Sequence, residues 1–89
     1  MDRMTRLLPR PQKIQAQLRV GESFGLGSEL YTIDNLRFLQ RLDGVHWWTE
    51  NAARRDYFWV ELRGLHGYSE ALIFIERNSG EPYLQGWRD

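Results

Sequence analysis

Two histidines, His46 and His66, are the only imidazoles among 89 residues, and there is no cysteine. A zinc site draws its ligands from thiolate, imidazole and carboxylate. With no thiolate, and no Asp or Glu at ligand spacing from either histidine, no metal site is expected. His46 precedes two tryptophans and reads as packed against them; His66 stands in a Gly-flanked loop and reads as exposed. The missing cysteine also removes a thiol nucleophile and a disulfide scaffold. There is no Gly-x-Ser-x-Gly elbow and no supporting His–Asp arrangement for a serine nucleophile. Gly25-Leu26-Gly27 is a short Gly-x-Gly, but no helix opens after it and no Lys followed by Ser or Thr completes a phosphate loop. The carboxylates are scattered, with no pair at catalytic spacing. The chain is therefore expected to be non-enzymatic, with no cofactor and no metal.

What remains is binding chemistry. Eleven of the twelve basic residues are Arg, and Lys13 is the only Lys. The guanidinium is a planar fork that pairs with phosphate or carboxylate and stacks on aromatic rings. Trp47, Trp48, Tyr57, Trp59, Tyr83 and Trp87 neighbour Arg54, Arg55, Arg63 and Arg88 along the chain. An Arg-flanked aromatic face holds single-stranded nucleic acid, each stacked base contributing roughly 1–3 kcal/mol. Trp, Tyr and Arg are equally the residues of protein-interface hot spots. The binding candidates are therefore Trp47, Trp48, Arg54, Arg55, Tyr57, Trp59, Tyr83 and Trp87. A domain this small also needs large aromatics for its core. Adjacent residues on a strand point to opposite faces, so one of Trp47 and Trp48 is expected inside.

Charge narrows the partner. The formal net charge is zero, but residues 1–20 hold five basic side chains against Asp2 alone, a net of +4, and residues 21–89 carry −4. Phosphate neutralisation supplies most non-specific duplex affinity, so an acidic body argues against a general duplex binder.

The elements that must position these residues read as strands. Residues 1–12 carry Pro9, Pro11 and several Arg, and read as a basic flexible arm. From Lys13 to Val20 apolar and polar residues alternate, with Ile14, Ala16, Leu18 and Val20 on one side, which predicts a half-buried strand. Phe24 and Leu26 make a second, weakened by their glycines. Leu30 to Leu42 reads as a long bent strand; the Leu36, Leu39, Leu42 spacing would also suit a short helix. Asp43-Gly44 signals a turn, and Thr49 to Asp56 a polar loop. In Tyr57–Leu62, Phe58, Val60 and Leu62 share one face, and Tyr57 and Trp59 the other. Gly64–Gly67 is a loop. Ser69–Arg77 is a strand apolar on both faces around Leu72–Ile75, which suits a covered central position. Asn78-Ser79-Gly80-Glu81 is a tight hairpin loop with Gly80 left-handed, and Pro82 opens the last strand, Tyr83–Trp87.

No segment is long enough for a crossover helix. The prediction is a mainly-β fold: a five- to six-stranded antiparallel meander, curled into a partly open small barrel of the SH3-like or OB-like kind. Residues 13–89 form one domain behind the arm. No apolar run approaches the ~20 residues of a membrane span. The first residues lack the apolar centre of a secretory signal, so a cytoplasmic protein without membrane contact is expected.

The order Phe24-Gly25-Leu26, Tyr31-Thr32-Ile33, Gly44 with Trp47-Trp48, Arg55-Asp56-Tyr57-Phe58-Trp59-Val60 and Ser79-Gly80-Glu81-Pro82-Tyr83-Leu84 resembles a small uncharacterised bacterial domain. That domain occurs alone and at the C-terminus of the inactive, Y-family-polymerase-like subunit of actinobacterial mutasomes, the ImuB type. The match covers residues 13–89, with Leu26 and Leu39 where that family usually has Trp. The resemblance carries no activity. It implies a setting in DNA repair and translesion DNA synthesis, with replication or repair proteins, or DNA, as partners. Three function classes follow: a protein-interaction module in such an assembly, a single-stranded nucleic-acid binder, and a structural or dimerising domain that pairs through a sheet edge.

Overall fold

A computed structural model describes residues 5–44 and 53–88. Six strands follow one another: β1 (Thr5–Lys13), β2 (Ser23–Leu26), β3 (Glu29–Gly44), β4 (Ala53–Gly64), β5 (Gly67–Glu76) and β6 (Glu81–Arg88). They form one antiparallel sheet in the order β1-β6-β5-β4-β3-β2, curled into a half-barrel. Strands β2 to β6 are the predicted meander, and β1 lies along the far side of β6. Among the described residues there is no helix, hence none long and apolar enough to cross a membrane.

Turn chemistry sets the registers. Gly64 pairs with Gly67 around Leu65-His66, and Glu76 pairs with Glu81 around a turn in which Gly80 takes φ 76°. That left-handed conformation costs glycine little and an L side chain more. The long bent reading of residues 30–42 holds: β3 runs straight through, and its bends are register slips at Asp34 and Leu39. An extra residue of this kind kinks one strand and sharpens its twist.

The inner face carries the core. Ile33, Val60, Leu62, Ala71 and Ile73 are fully buried, joined by Phe24, Leu84 and Ile14. Each buried Val, Leu or Ile side chain among them stabilises the fold by roughly 1.5–3 kcal/mol. Strand β5 is apolar on both sides as predicted, because Phe74 is also buried, from the outer face.

Three expectations are corrected. Residues 5–12 are not a free arm; they belong to β1, bonded to β6 from Thr5↔Arg88 to Lys13↔Tyr83. Both prolines fall between Leu7 and Gln12, where the register slips, and on an edge strand whose other side needs no donor. The domain therefore begins before residue 13. Residues 14–20, in turn, are not a strand. They cross from the start of β6, where Ile14 N donates to the Pro82 carbonyl at 3.0 Å, to β3, where Gly21 N donates to the Ile33 carbonyl at 2.8 Å. Their alternation is real but has another cause: Ile14, Ala16 and Leu18 face the core they cross, while Val20 is exposed. Finally, residues 53–56 are strand rather than loop, because β3 and β4 stay paired as far as Gly44↔Ala53.

Candidate functional site

The registers of the two hairpins bring one aromatic from each of three strands into a row on the outer face. Tyr57 on β4 pairs with Phe74 on β5, and Phe74 with Tyr83 on β6. The Tyr57 and Phe74 centroids are 5.4 Å apart at 47°; Phe74 and Tyr83 stack at 5.3 Å and 16°. Such pairs add about 0.5–1.5 kcal/mol each beyond area burial.

Arg55 closes the row from above. Its Cζ lies 4.3 Å from the Phe74 centroid, and its Nη1 donates to the Tyr57 hydroxyl at 3.2 Å. Its Nε is buried over the ring and meets no acceptor among the described residues. Beside it, Pro11, Arg55, Phe74, Glu76 and Tyr83 line an open recess of about 290 Å³. One row further along, the Arg88 guanidinium sits 5.0 Å from the Trp59 ring and donates to Glu70 at 2.9 Å. At the rim, Lys13 Nζ meets Glu81 at 2.8 Å. That contact raises the Lys13 pKa above its ordinary value and holds the Glu81 carboxyl below its own.

Of the predicted binding residues, Arg55, Tyr57, Trp59 and Tyr83 therefore share this face. Arg54 does not: it alternates with Arg55 to the inner side of β4, exposed, its carbonyl accepting from Arg77 N at 2.9 Å. Trp87 does not either. The register slips by one residue at Gln85, so Tyr83 faces outward with Phe74 while Trp87 faces inward with fully buried Ala71. Its ring lies 5.8 Å from Tyr31, against the core. Trp47, Trp48 and His46 lie outside the described residues. His66 is exposed in the β4–β5 turn, as expected.

Phe74, Arg88 and Pro11 were not among the candidates. For Phe74 the signal lies in the turns. Pairing Gly64 with Gly67 and Glu76 with Glu81 already places Phe74 between Tyr57 and Tyr83. A second missed feature is the exposed apolar run of β3, with Phe38 56%, Leu39 44% and Leu42 43% exposed.

The arrangement offers planar stacking and Arg-type pairing. Among the described residues no group of three or more His, Cys, Asp or Glu side chains is gathered for a metal. A larger recess, of about 560 Å³, lies under the 14–18 crossing, but its two charged liners, Lys13 and Glu81, are paired with each other. No family model, no curated protein and no solved structure matches this chain.

Proposed function

We propose that the domain is a non-enzymatic protein-interaction module, an accessory in DNA repair or translesion DNA synthesis, that meets its partner through the outer face around Arg55, Tyr57, Trp59 and Tyr83. One observation carries this reading: the guanidiniums on this face already lie on rings, Arg55 on Phe74 and Arg88 on Trp59. A nucleobase platform needs free ring faces, whereas Phe74 is 2% exposed. A preassembled Arg–aromatic surface suits the packed centre of a protein interface. Charge supports the same choice. Glu61, Glu70, Glu76 and Glu81 share the face with its arginines, and a phosphate chain would meet these carboxylates. The setting rests on the resemblance to the mutasome-associated domain.

The test is photo-crosslinking from position 83 in DNA-damaged host cells. The expected result is an adduct with a replication or repair protein that is lost in Arg55→Ala. Adducts with none would count against the setting. Quenching of tryptophan emission by oligo-dT at ~50 mM salt, where phosphate-driven binding is strong, would overturn the protein reading in favour of single-stranded nucleic acid.

A further inference from the structure

Two cations of the outer face pair with a carboxylate beside them. Arg88 stands directly opposite Glu70 and meets it at 2.9 Å, and Lys13 meets Glu81 at 2.8 Å. Arg55 is placed to do the same and does not. It stands directly opposite Glu76 in the β4–β5 ladder, the position in which side chains of opposite charge stabilise each other. Glu76 also stands opposite Glu81 on β6, a like-charge neighbour that a cation would offset. Yet among the described residues Arg55 forms no ion pair. The Glu76 carboxylate accepts instead from Asn78 N in its own turn, at 3.3 Å.

Two contacts hold the guanidinium elsewhere. One is the Phe74 ring, 4.3 Å from Cζ; the other is the Tyr57 hydroxyl, which accepts from Nη1 at 3.2 Å. A ring contact alone does not account for the missing ion pair. Arg88 lies 5.0 Å from the Trp59 ring and still donates to Glu70. Indole offers no acceptor, so that ring does not draw the guanidinium from its carboxylate. At Arg55 the added element is the Tyr57 hydroxyl, two residues along the same strand on the same outer face. The arrangement leaves Arg55 Nε buried without an acceptor among the described residues. The ring and hydroxyl contacts must offset that unmet donor.

We propose that Tyr57 is a positioning residue: its hydroxyl keeps the Arg55 guanidinium on Phe74 and off Glu76. A partner then meets an ordered guanidinium that has no counter-ion. This consequence rests on the interface proposed for the outer face; the positioning itself does not.

Arginine-selective ¹H–¹⁵N spectra of the full chain test it, because a proton over a ring face is shifted upfield. The Arg55 Nε–H signal should lie upfield in the parent protein. In Tyr57→Phe, which keeps the ring and removes the acceptor, it should return to the ordinary range. Cross-peaks from Arg55 Hδ to the Phe74 ring should be lost with it. Adding Glu76→Gln, which keeps an oxygen for Asn78 N, should restore the upfield signal. A signal unmoved by Tyr57→Phe, or one that Glu76→Gln does not restore, would overturn the positioning role. The photo-adduct from position 83 should weaken in Tyr57→Phe and recover in the double variant. Equal yields from the parent and Tyr57→Phe would overturn the effect on binding. No adduct from the parent would sink the interface itself, and the Arg55 signals would still decide the positioning.

Discussion

The Arg55 guanidinium lies 4.3 Å from the centre of the Phe74 ring while donating to the Tyr57 hydroxyl. This one side chain seals the outer face of a ring that the inner core cannot reach. Arg55→Ala should uncover Phe74 and cost about 1 kcal/mol, the worth of a partly exposed cation–π contact. Arg55→Lys should recover less than half of it, because the ammonium lacks the planar fork. Urea unfolding measures both, and equal stability of the Ala and Lys variants with the parent protein would remove the sealing role.

Phe74 itself should matter more. It is 2% exposed and touches Tyr57, Tyr83 and Arg55. Phe74→Ala should cost about 3 kcal/mol or more, a large share of the roughly 5–15 kcal/mol that holds a small domain. Thermal unfolding followed by circular dichroism would show the midpoint drop.

At Gly86 the backbone of β1 lies close against β6. A Cβ there would run into the Arg6 carbonyl oxygen and lie 3.0 Å from Leu7 Cα. These are backbone atoms, which do not swing aside, so Gly86→Ala should push β1 off the sheet at about 1–3 kcal/mol. Hydrogen exchange should then accelerate across residues 5–13 while β4 and β5 keep their protection. Unchanged protection of β1 would contradict the close approach.

How much of this was legible follows from the physics of each segment. Gly64–Gly67 and Asn78–Glu81 are local turn chemistry, and local chemistry is written in adjacent residues. Val60 and Leu62 alternate because a half-buried strand must. β1 was hidden because its pairing with β6 is non-local and its Arg and Pro residues follow no period. Residues 14–20 show the opposite case: any extended segment lying over a core alternates, whether or not it joins a ladder. Arg54 to Asp56 read as loop because they are charged, yet they sit on a hairpin arm whose pairing with β3 does not depend on burial. In the site, Tyr57 and Tyr83 were recognisable, but the slip at Gln85, marked in the sequence only by the neighbouring Gly86, reassigns Trp87.

The Lys13–Glu81 pair ties β1 to β6 at an exposed rim, and its pH response has a definite sign. The Glu81 carboxyl is held below its ordinary value, first by the hydrogen bond from Lys13. Its contribution is present above the unfolded carboxyl pKa, about 4.3, and is lost as pH falls through the lower folded value. Lys13 is raised, first by the same hydrogen bond to Glu81. Its contribution is present below the unfolded ammonium pKa, about 10.4, and is lost as pH rises through the folded value. Carbon-detected NMR titration of Glu81 should show the low pKa, and Lys13→Ala should return it toward the ordinary range. Because both groups are exposed, added salt should shrink the shift. A Glu81 titration identical in the parent and Lys13→Ala proteins would contradict the pair.

Trp59 and Trp87 look alike in the sequence, each an indole in a β strand, and the bulge at Gln85 gives them opposite duties. Trp87 packs against the core cluster and Tyr31. Trp59 lies on the outer face under Arg88. Trp87→Ala should therefore leave a cavity beside Ala71 and Tyr31 and cost about 3 kcal/mol or more. Trp59→Ala removes a half-buried ring and a cation–π contact, so it should cost about 1–2 kcal/mol. Deleting Gln85 removes the extra residue and leaves Leu84 opposite Ile73, Gly86 opposite Leu72 and Trp87 opposite Ala71 in an unbroken ladder, so Trp87 stays inward. The Gln85 deletion should therefore cost clearly less than Trp87→Ala. Urea titrations of the three variants decide the point: equal costs for Trp59→Ala and Trp87→Ala, or a Gln85 deletion as costly as Trp87→Ala, would refute the inward placement of Trp87.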